Sequence, residues 1–286
     1  MKSQKVRRIT SFLLLGLLLL GAAFASGCSK KEAAAPTPAP DSALTGSLTI
    51  AGSTSVQPFS EVLAEKFKEK NKGVQINVQG GGSSVGIEAA ISGAAGLGSS
   101  SRDLKPEEKA KLKETTIALD GIAIVVHPSN TVKVLKTEDI MNIYVGNIKN
   151  WKELGGPDAP ITVVSREDGS GTREAFTTLV MNKKDIIKTA IIQNSTGAVR
   201  TTVAGDKNAI GYVSLANVNK DVKALDVNGI VASDANVKNG TYKLQRPFIY
   251  VSKEAPTGLA KAFIDFVLSP EGQKIIVDEG AISISK

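Results

Sequence analysis

The chain has 286 residues, 42% of them hydrophobic and 22% charged, enough for the packed core of one large domain or of two lobes of ordinary size. Aromatic residues make up only 5% while glycine occurs 27 times, which suits an α/β protein with many tight turns better than an all-β sandwich built on aromatic packing. The formal charge of +7 does not mark a nucleic-acid partner: residues 1–27 hold four bases and no acid, and without them 31 bases face 28 acids, a net of +3 spread along the chain.

Lys2, Lys5, Arg7 and Arg8 precede an apolar run from Ile9 to Phe24, and Ala25-Ser26-Gly27-Cys28 follows. Basic residues, an apolar run and then small residues form the plan of a secretory signal peptide. A Cys at the first mature position resembles the bacterial lipobox, in which the thiol receives a diacylglycerol; Ala25 stands where that motif most often has Leu. An uncleaved membrane anchor is the competing reading, since the run approaches the length a bilayer needs. The Ser-Lys-Lys and Pro/Ala stretch directly after Cys28 favours cleavage. Residues 1–27 are therefore read as a signal peptide, and 28–46 as a lipidated Cys28 with a semi-extended tether. Either reading puts the folded part outside the cytoplasm, facing a periplasm or the cell exterior. Cys28 is the single cysteine, so no internal disulfide forms.

From residue 47 strand and helix signals alternate. Ser47–Ala51 is a β-type run, and Val56–Lys70 carries Val56, Phe59, Leu63 and Phe67 at helical spacing. Val74, Ile76 and Val78 alternate as in a half-buried strand. A helix over Ser84–Ala94, a strand over Leu97–Ser101, a helical turn from Pro106 and a long strand over Thr116–His127 follow. The second half alternates in the same way, with helix Thr137–Val145, strand Ile161–Ser165, helices Gly171–Met181 and Thr196–Ala204, strands Ala209–Ser214 and Tyr242–Ser252, and a closing helix or helix pair over Pro256–Glu279. This alternation predicts an α/β fold with helices covering a largely parallel sheet, whose ligands bind beyond the carboxyl ends of the strands.

Four loops at such junctions carry the chemistry: Ala51-Gly52-Ser53-Thr54-Ser55, Gly80-Gly81-Gly82-Ser83-Ser84, Gly98-Ser99-Ser100-Ser101-Arg102, and Arg166-Glu167-Asp168-Gly169-Ser170-Gly171-Thr172-Arg173. Any one of them is more often a helix cap or a plain turn. Together they offer helix amino termini with unpaired N–H donors, neutral hydroxyls and an arginine fork, the inventory that a dehydrated oxyanion needs. A nucleotide P-loop is excluded because Gly171 is followed by Thr172 without Lys, and GGGSS lacks the dinucleotide pattern.

AGSTSVQPF (51–59), GGGSSVGI (80–87), IMNIYVGNIKNWKELGG (140–156) and SREDGSGTREAF (165–176) together are similar to the phosphate-binding subunit of bacterial phosphate ABC transporters, over residues 47–286. The resemblance implies a two-lobed periplasmic-binding-protein fold of type II, with residues 47–124 and 242–286 in one lobe, 125–241 in the other, and the ligand cleft between them. It implies phosphate contacts from Thr54, Ser55, Ser83, Ser101, Arg166, Ser170, Gly171 and Thr172. It also implies a membrane permease as partner, a monomer, and no cofactor, metal or enzymatic activity. The best-known form of the family has Asp where this chain has Ser101. That carboxylate accepts a hydrogen bond from protonated phosphate and repels sulfate. Asp120 is the candidate replacement acceptor, with Asp103 and Asp168 as weaker ones.

Other readings remain open from the sequence. Ser101 leaves room for sulfate, molybdate or tungstate as the ligand. A surface adhesion protein could display Trp151, Tyr144 and Leu154 as a patch. A hydrolase would need a base beside Ser170, and the only histidine is His127, followed by Pro128 at a strand end.

Overall fold

The computed structural model describes residues 44–285; the predicted signal peptide, Cys28 and nearly all of the tether lie outside the described residues. In chain order the first half contains β1 (Thr45–Gly52), α1 (Gln57–Lys70), β2 (Gly73–Gly80), α2 (Ser83–Ser92), β3 (Leu97–Ser100), the short α3 (Pro106–Lys109) and β4 (Lys113–Val126). The second half contains β5 (Val134–Leu135), α4 (Thr137–Val145), β6 (Thr162–Arg166), α5 (Gly171–Leu179), β7 (Ile191–Gln193), α6 (Thr196–Gly205), β8 (Ala209–Ser214), β9 (Lys223–Ala224), β10 (Asp226–Val227) and α7 (Asp234–Lys238). The chain then returns through β11 (Gln245–Ser252) to α8 (Gly258–Leu268) and α9 (Pro270–Asp278).

The sheet runs β2-β1-β3-β11-β4-β8-β6-β7, with β9 also on β4. Its flanks are parallel: β1 with β2 and β3, and β6 with β7 and β8. Its centre is antiparallel, because β11 pairs against both β3 and β4, and β4 against β8. The largely parallel sheet expected from the sequence is therefore a mixed one. The cause is β4, whose 14 residues pair antiparallel with β11 over one part and with β8 over the next. Its first part, Lys113 to Gly121, lies beside β11, and from Ile122 to Val126 it lies beside β8.

Each lobe has helices on both faces of its part of the sheet, and the strands sort their side chains accordingly. On β4, Ile122, Ile124 and Val126 join the large core with Ile140, Tyr144, Trp151 and Phe176, while Ala123 and Val125 face Val199, Val203 and Val213. On β11, Phe248 and Tyr250 pack with Phe59, Leu63, Phe67 and Phe263 from α1 and α8, while Ile249 and Val251 meet Ile87 and Leu104. The helix face read from Val56, Phe59, Leu63 and Phe67 is buried at all four positions.

Two alternatives lose their footing in this architecture. Trp151 and Tyr144 are fully buried, with Trp151 Nε1 donating to Asn208 O and Tyr144 OH to Val164 O, so they form no exposed patch. The His127 ring is engaged within its own turn, where Nδ1 accepts from Ser129 N at 3.0 Å and bonds Ser129 Oγ at 2.7 Å.

Candidate functional site

The four loops lie at the carboxyl ends of β1, β2, β3 and β6, and helices α1, α2 and α5 begin just after three of them. The loops meet at one point. Ser53, Ser55, Ser83, Ser101, Arg166, Ser170 and Thr172 are each at most 2% exposed, although all are polar. Buried polar groups persist only when hydrogen-bonded, and these bond largely to one another.

Ser55 Oγ is the hub. It lies 2.9 Å from Thr172 Oγ1 and 2.8 Å from Thr196 Oγ1, so a hydroxyl from the first lobe meets two from the second. Thr54, the more exposed neighbour, accepts from Thr196 N at 3.2 Å and so caps the start of α6 from across the cleft. A second knot lies beside the first: Ser53 Oγ donates to Ser101 Oγ (2.9 Å), and Ser83 Oγ accepts from Ser101 N (3.1 Å) and lies 3.4 Å from Ser101 Oγ. Ser170 has the ordinary role of a helix cap, accepting from Arg173 N at 3.2 Å, which leaves its proton to donate elsewhere.

Gly171 sets how closely the lobes approach. A Cβ built there would lie 2.2 Å from Ser83 Oγ, 2.8 Å from Ser101 Oγ and 2.9 Å from Ser83 Cβ. Only a residue without a side chain lets the amino terminus of α5 lie directly against the Ser83 and Ser101 hydroxyls. The backbone repeats the contact, with Ser84 N donating to Gly169 O at 3.0 Å. The amino termini of α1, α2, α5 and α6 thus gather around one cluster, and their partial positive charge favours an anion there.

Two guanidinium groups complete the cluster, one from each lobe. Arg166, at the end of β6, donates through Nε and Nη2 to the two carboxylate oxygens of Glu167, both at 2.7 Å, and through Nη1 to Thr196 Oγ1 at 3.2 Å. Its backbone is held by Tyr212, whose hydroxyl accepts from Arg166 N and bonds Ser165 Oγ. Tyr212 stacks on Phe176 at 4.1 Å, and burial pushes its phenol up to about 12, so it remains a neutral hydroxyl. The second group is Arg246 on β11. It donates from Nε and Nη2 to Asp120 Oδ2 at 3.0 and 2.9 Å, from Nη1 to Ser101 O at 3.1 Å, and from Nη2 towards Ser55 Oγ at 3.4 Å.

Asp120, the expected acceptor for protonated phosphate, is drawn into contacts of its own. Asp120 is fully buried, but Arg246 takes Oδ2 twice and Ser214 Oγ donates to Oδ1 at 2.7 Å. Burial pushes its carboxyl up, and Arg246 and the hydrogen bonds pull against that. These contacts tie Asp120 first to Arg246 and Ser214. Asp103 and Asp168 are exposed and fit the role no better; Asp168 pairs with Arg173 at 2.8 Å.

Sequence reasoning passes over Thr196 and Arg246, and names Ser53 only as part of its loop. Ser195-Thr196 reads as an ordinary helix start, which it also is, since Ser195 Oγ accepts from Ala198 N. Arg246 lies inside a predicted strand, where an arginine is usually solvated. Its one local signal is that it directly precedes the apolar run Pro247-Phe248-Ile249-Tyr250-Val251. No group of three or more His, Cys, Asp or Glu placed to hold a metal occurs among the described residues.

Comparison with known proteins agrees with this geometry. A PBP superfamily domain model matches residues 37–271. The phosphate-binding protein PstS of Bacillus subtilis (strain 168) is 35% identical over 289 residues, covering 99% of this chain and 95% of the relative. A Clostridium perfringens protein, described as a phosphate ABC transporter substrate-binding protein and solved with bound phosphate, matches with a TM-score of 0.82 at 48% identity, over 84% of this chain and 100% of that one. An ABC-type phosphate transport receptor from Vibrio cholerae matches with a TM-score of 0.71 at 38% identity, over 82% and 99%. The chain belongs to the PBP superfamily and, within it, to the family of the PstS phosphate-binding proteins.

Proposed function

We propose that this chain captures inorganic phosphate between its two lobes and delivers it to the membrane permease of an ABC importer. It is a binding protein and not an enzyme. The observation that carries the proposal is the convergence of Ser and Thr side chains from four loops, on both lobes, onto one buried point flanked by Arg166 and Arg246. Each hydroxyl there is both donor and acceptor. A tetrahedral oxyanion entering the cluster would replace hydroxyl–hydroxyl bonds by hydroxyl–oxygen bonds, so no donor need lose a partner. Its charge would be met by arginine and by helix amino termini in a medium of low dielectric.

Thr54, Ser55, Ser83, Ser101, Arg166, Ser170, Gly171 and Thr172 are the proposed contacts. The lobes are taken as residues 47–124 with 242–286, and 125–241. The change of partner along β4 after Gly121 and the start of β11 at Gln245 support a division within a few residues of those limits. Capture then proceeds by closure of the lobes about β4 and β11. The closed form is what the permease receives, and ATP hydrolysis lies on another chain. Export with lipid attachment at Cys28, and a monomeric state, complete the reading; among the described residues no helix is long and apolar enough to cross a membrane.

Isothermal titration calorimetry of the anion-stripped protein with phosphate and then sulfate is the test. Tight phosphate binding with little heat from sulfate is expected. Tight sulfate binding, or no response to phosphate, would overturn the substrate assignment.

A further inference from the structure

The family resemblance assigns one cation to the anion, Arg166. We infer that Arg246 is a second cationic contact for the bound oxyanion, held in position by Asp120, so that this site is built for the doubly charged form of phosphate. The inference rests on the phosphate reading above.

The hydrogen-bond geometry carries it. Arg246 is 4% exposed, and its guanidinium has two distinct edges. One edge, Nε with one N–H of Nη2, is spent on Asp120 Oδ2. The other, Nη1 with the second N–H of Nη2, faces Ser101 O and Ser55 Oγ, two of the loops that form the cluster. The bond to Ser55 Oγ, at 3.4 Å, is long, and an anion oxygen beside Ser55 would be the better acceptor. Ser55 Oγ, Thr196 Oγ1 and Arg166 Nη1 continue the line at 2.8 and 3.2 Å. The two arginines thus stand at the ends of one short hydroxyl chain, and each has a carboxylate on its outer side, Asp120 for Arg246 and Glu167 for Arg166. The serine at 101 fits the same logic, because a carboxylate there would sit beside the Arg246 fork and compete for it.

The charged and titratable groups around Arg246 are Asp120, Arg166 and Tyr212, with Arg102, Asp103, Lys105, Glu174 and Lys183 along a groove that Arg246 also lines. Phosphate has its second ionisation near neutral pH, so raising the pH from about 6 to about 8 changes the ligand from mostly singly to mostly doubly charged. With two guanidiniums on the ligand, wild-type affinity should rise over that interval.

The experiment is phosphate calorimetry on the full chain at both pH values, for wild type, for Arg246→Lys, and for Arg246→Gln combined with Asp120→Asn, which removes the buried pair without leaving a lone charge. The inference expects the double variant to bind phosphate at least about thirty-fold more weakly and to lose most of the gain in affinity on raising the pH, while remaining folded. A role confined to stability would lower the melting temperature and leave the ratio of the two affinities as in wild type. If wild type binds phosphate and the folded variants bind it as well with the same pH response, Arg246 is not a ligand contact and the phosphate reading stands. If wild type binds no phosphate, the reading and the inference fall together. Should both variants fail to fold, ¹⁵N-arginine side-chain spectra of the wild-type protein decide. Two buried guanidinium signals shifting with added phosphate support the inference, and one shifting alone overturns it.

Discussion

Replacing Gly171 by alanine isolates the approach of the two lobes from the chemistry of the site. The added methyl would lie 2.2 Å from Ser83 Oγ and 2.9 Å from Ser83 Cβ, so rotating the Ser83 hydroxyl away does not clear it. An ordinary contact needs about 3.4 Å or more, so one wall must retreat by roughly an ångström. Overpacking of this kind costs about 1–3 kcal/mol, and the cost falls on the closed arrangement because Gly171 and Ser83 belong to different lobes. The backbone amide of residue 171 is retained, and alanine at this first helical position restricts the unfolded chain more than glycine does. Phosphate affinity should therefore fall by about 5- to 150-fold while stability without ligand is unchanged or slightly raised. Calorimetry gives the first quantity and urea unfolding without phosphate the second. An affinity within about twofold of wild type would refute the steric argument, and an equal loss of unliganded stability would show that the clash is not specific to closure.

Arg166→Ala removes the guanidinium and leaves Glu167 facing the site, and should weaken phosphate binding by about 2–5 kcal/mol in calorimetry. Glu174 on α5 lies 2.8 Å from Arg102 Nε and 3.5 Å from Lys105 Nζ across the cleft; the Arg102 approach is an ion pair whose angle falls outside a hydrogen bond. Because Glu174 is partly exposed, Glu174→Gln should speed phosphate release in stopped flow by only about two- to fivefold, corresponding to about 0.5–1 kcal/mol. Ser170→Ala removes the cap of α5 and should lower stability by about 1 kcal/mol in urea unfolding. Glu108 is held below the ordinary carboxylate range: burial pushes it up, but the bidentate bond from Arg102 and the bond from Lys105 N outweigh that. A depressed folded value means that the stabilisation is full above the ordinary carboxylate range and is lost as the pH falls through the folded value. The stability gap between wild type and Glu108→Gln should therefore narrow on acidification, and a gap constant with pH would contradict the assignment.

Local pattern makes much of this fold legible. The helix at Thr137–Val145 and the strand at Ala209–Ser214 have the bounds that their pattern indicates, because the helix buries one face in one core and the strand buries both, Ile210 and Tyr212 in one core and Ala209 and Val213 in another. The direction of pairing is not legible, since β11 looks the same in sequence whether its neighbours run with it or against it. Among the site residues, glycine and serine at strand ends mark the loops, because tight turns and helix starts need those residues. Thr196 and Arg246 escape because their roles depend on which distant hydroxyl they meet: Ser55 is 141 positions from Thr196 and 191 from Arg246. Asp120 stands out in the sequence, but its partner does not. A carboxylate buried inside a strand, as Asp120 is in β4, must be paired, and only the fold shows that Arg246 is the pair.

In the proposed division the polypeptide enters the second lobe on β4 and leaves it on β11, and these strands are neighbours. Ile122 N donates to Leu244 O at 2.7 Å, so the points of departure and return lie side by side. The second lobe is thus an insertion whose two ends nearly touch, and such a segment can be exchanged as a cassette. Grafting the equivalent stretch from a relative at these two adjacent junctions would leave the first lobe's strand order intact and would combine the Arg246 half of one site with the Arg166 half of another.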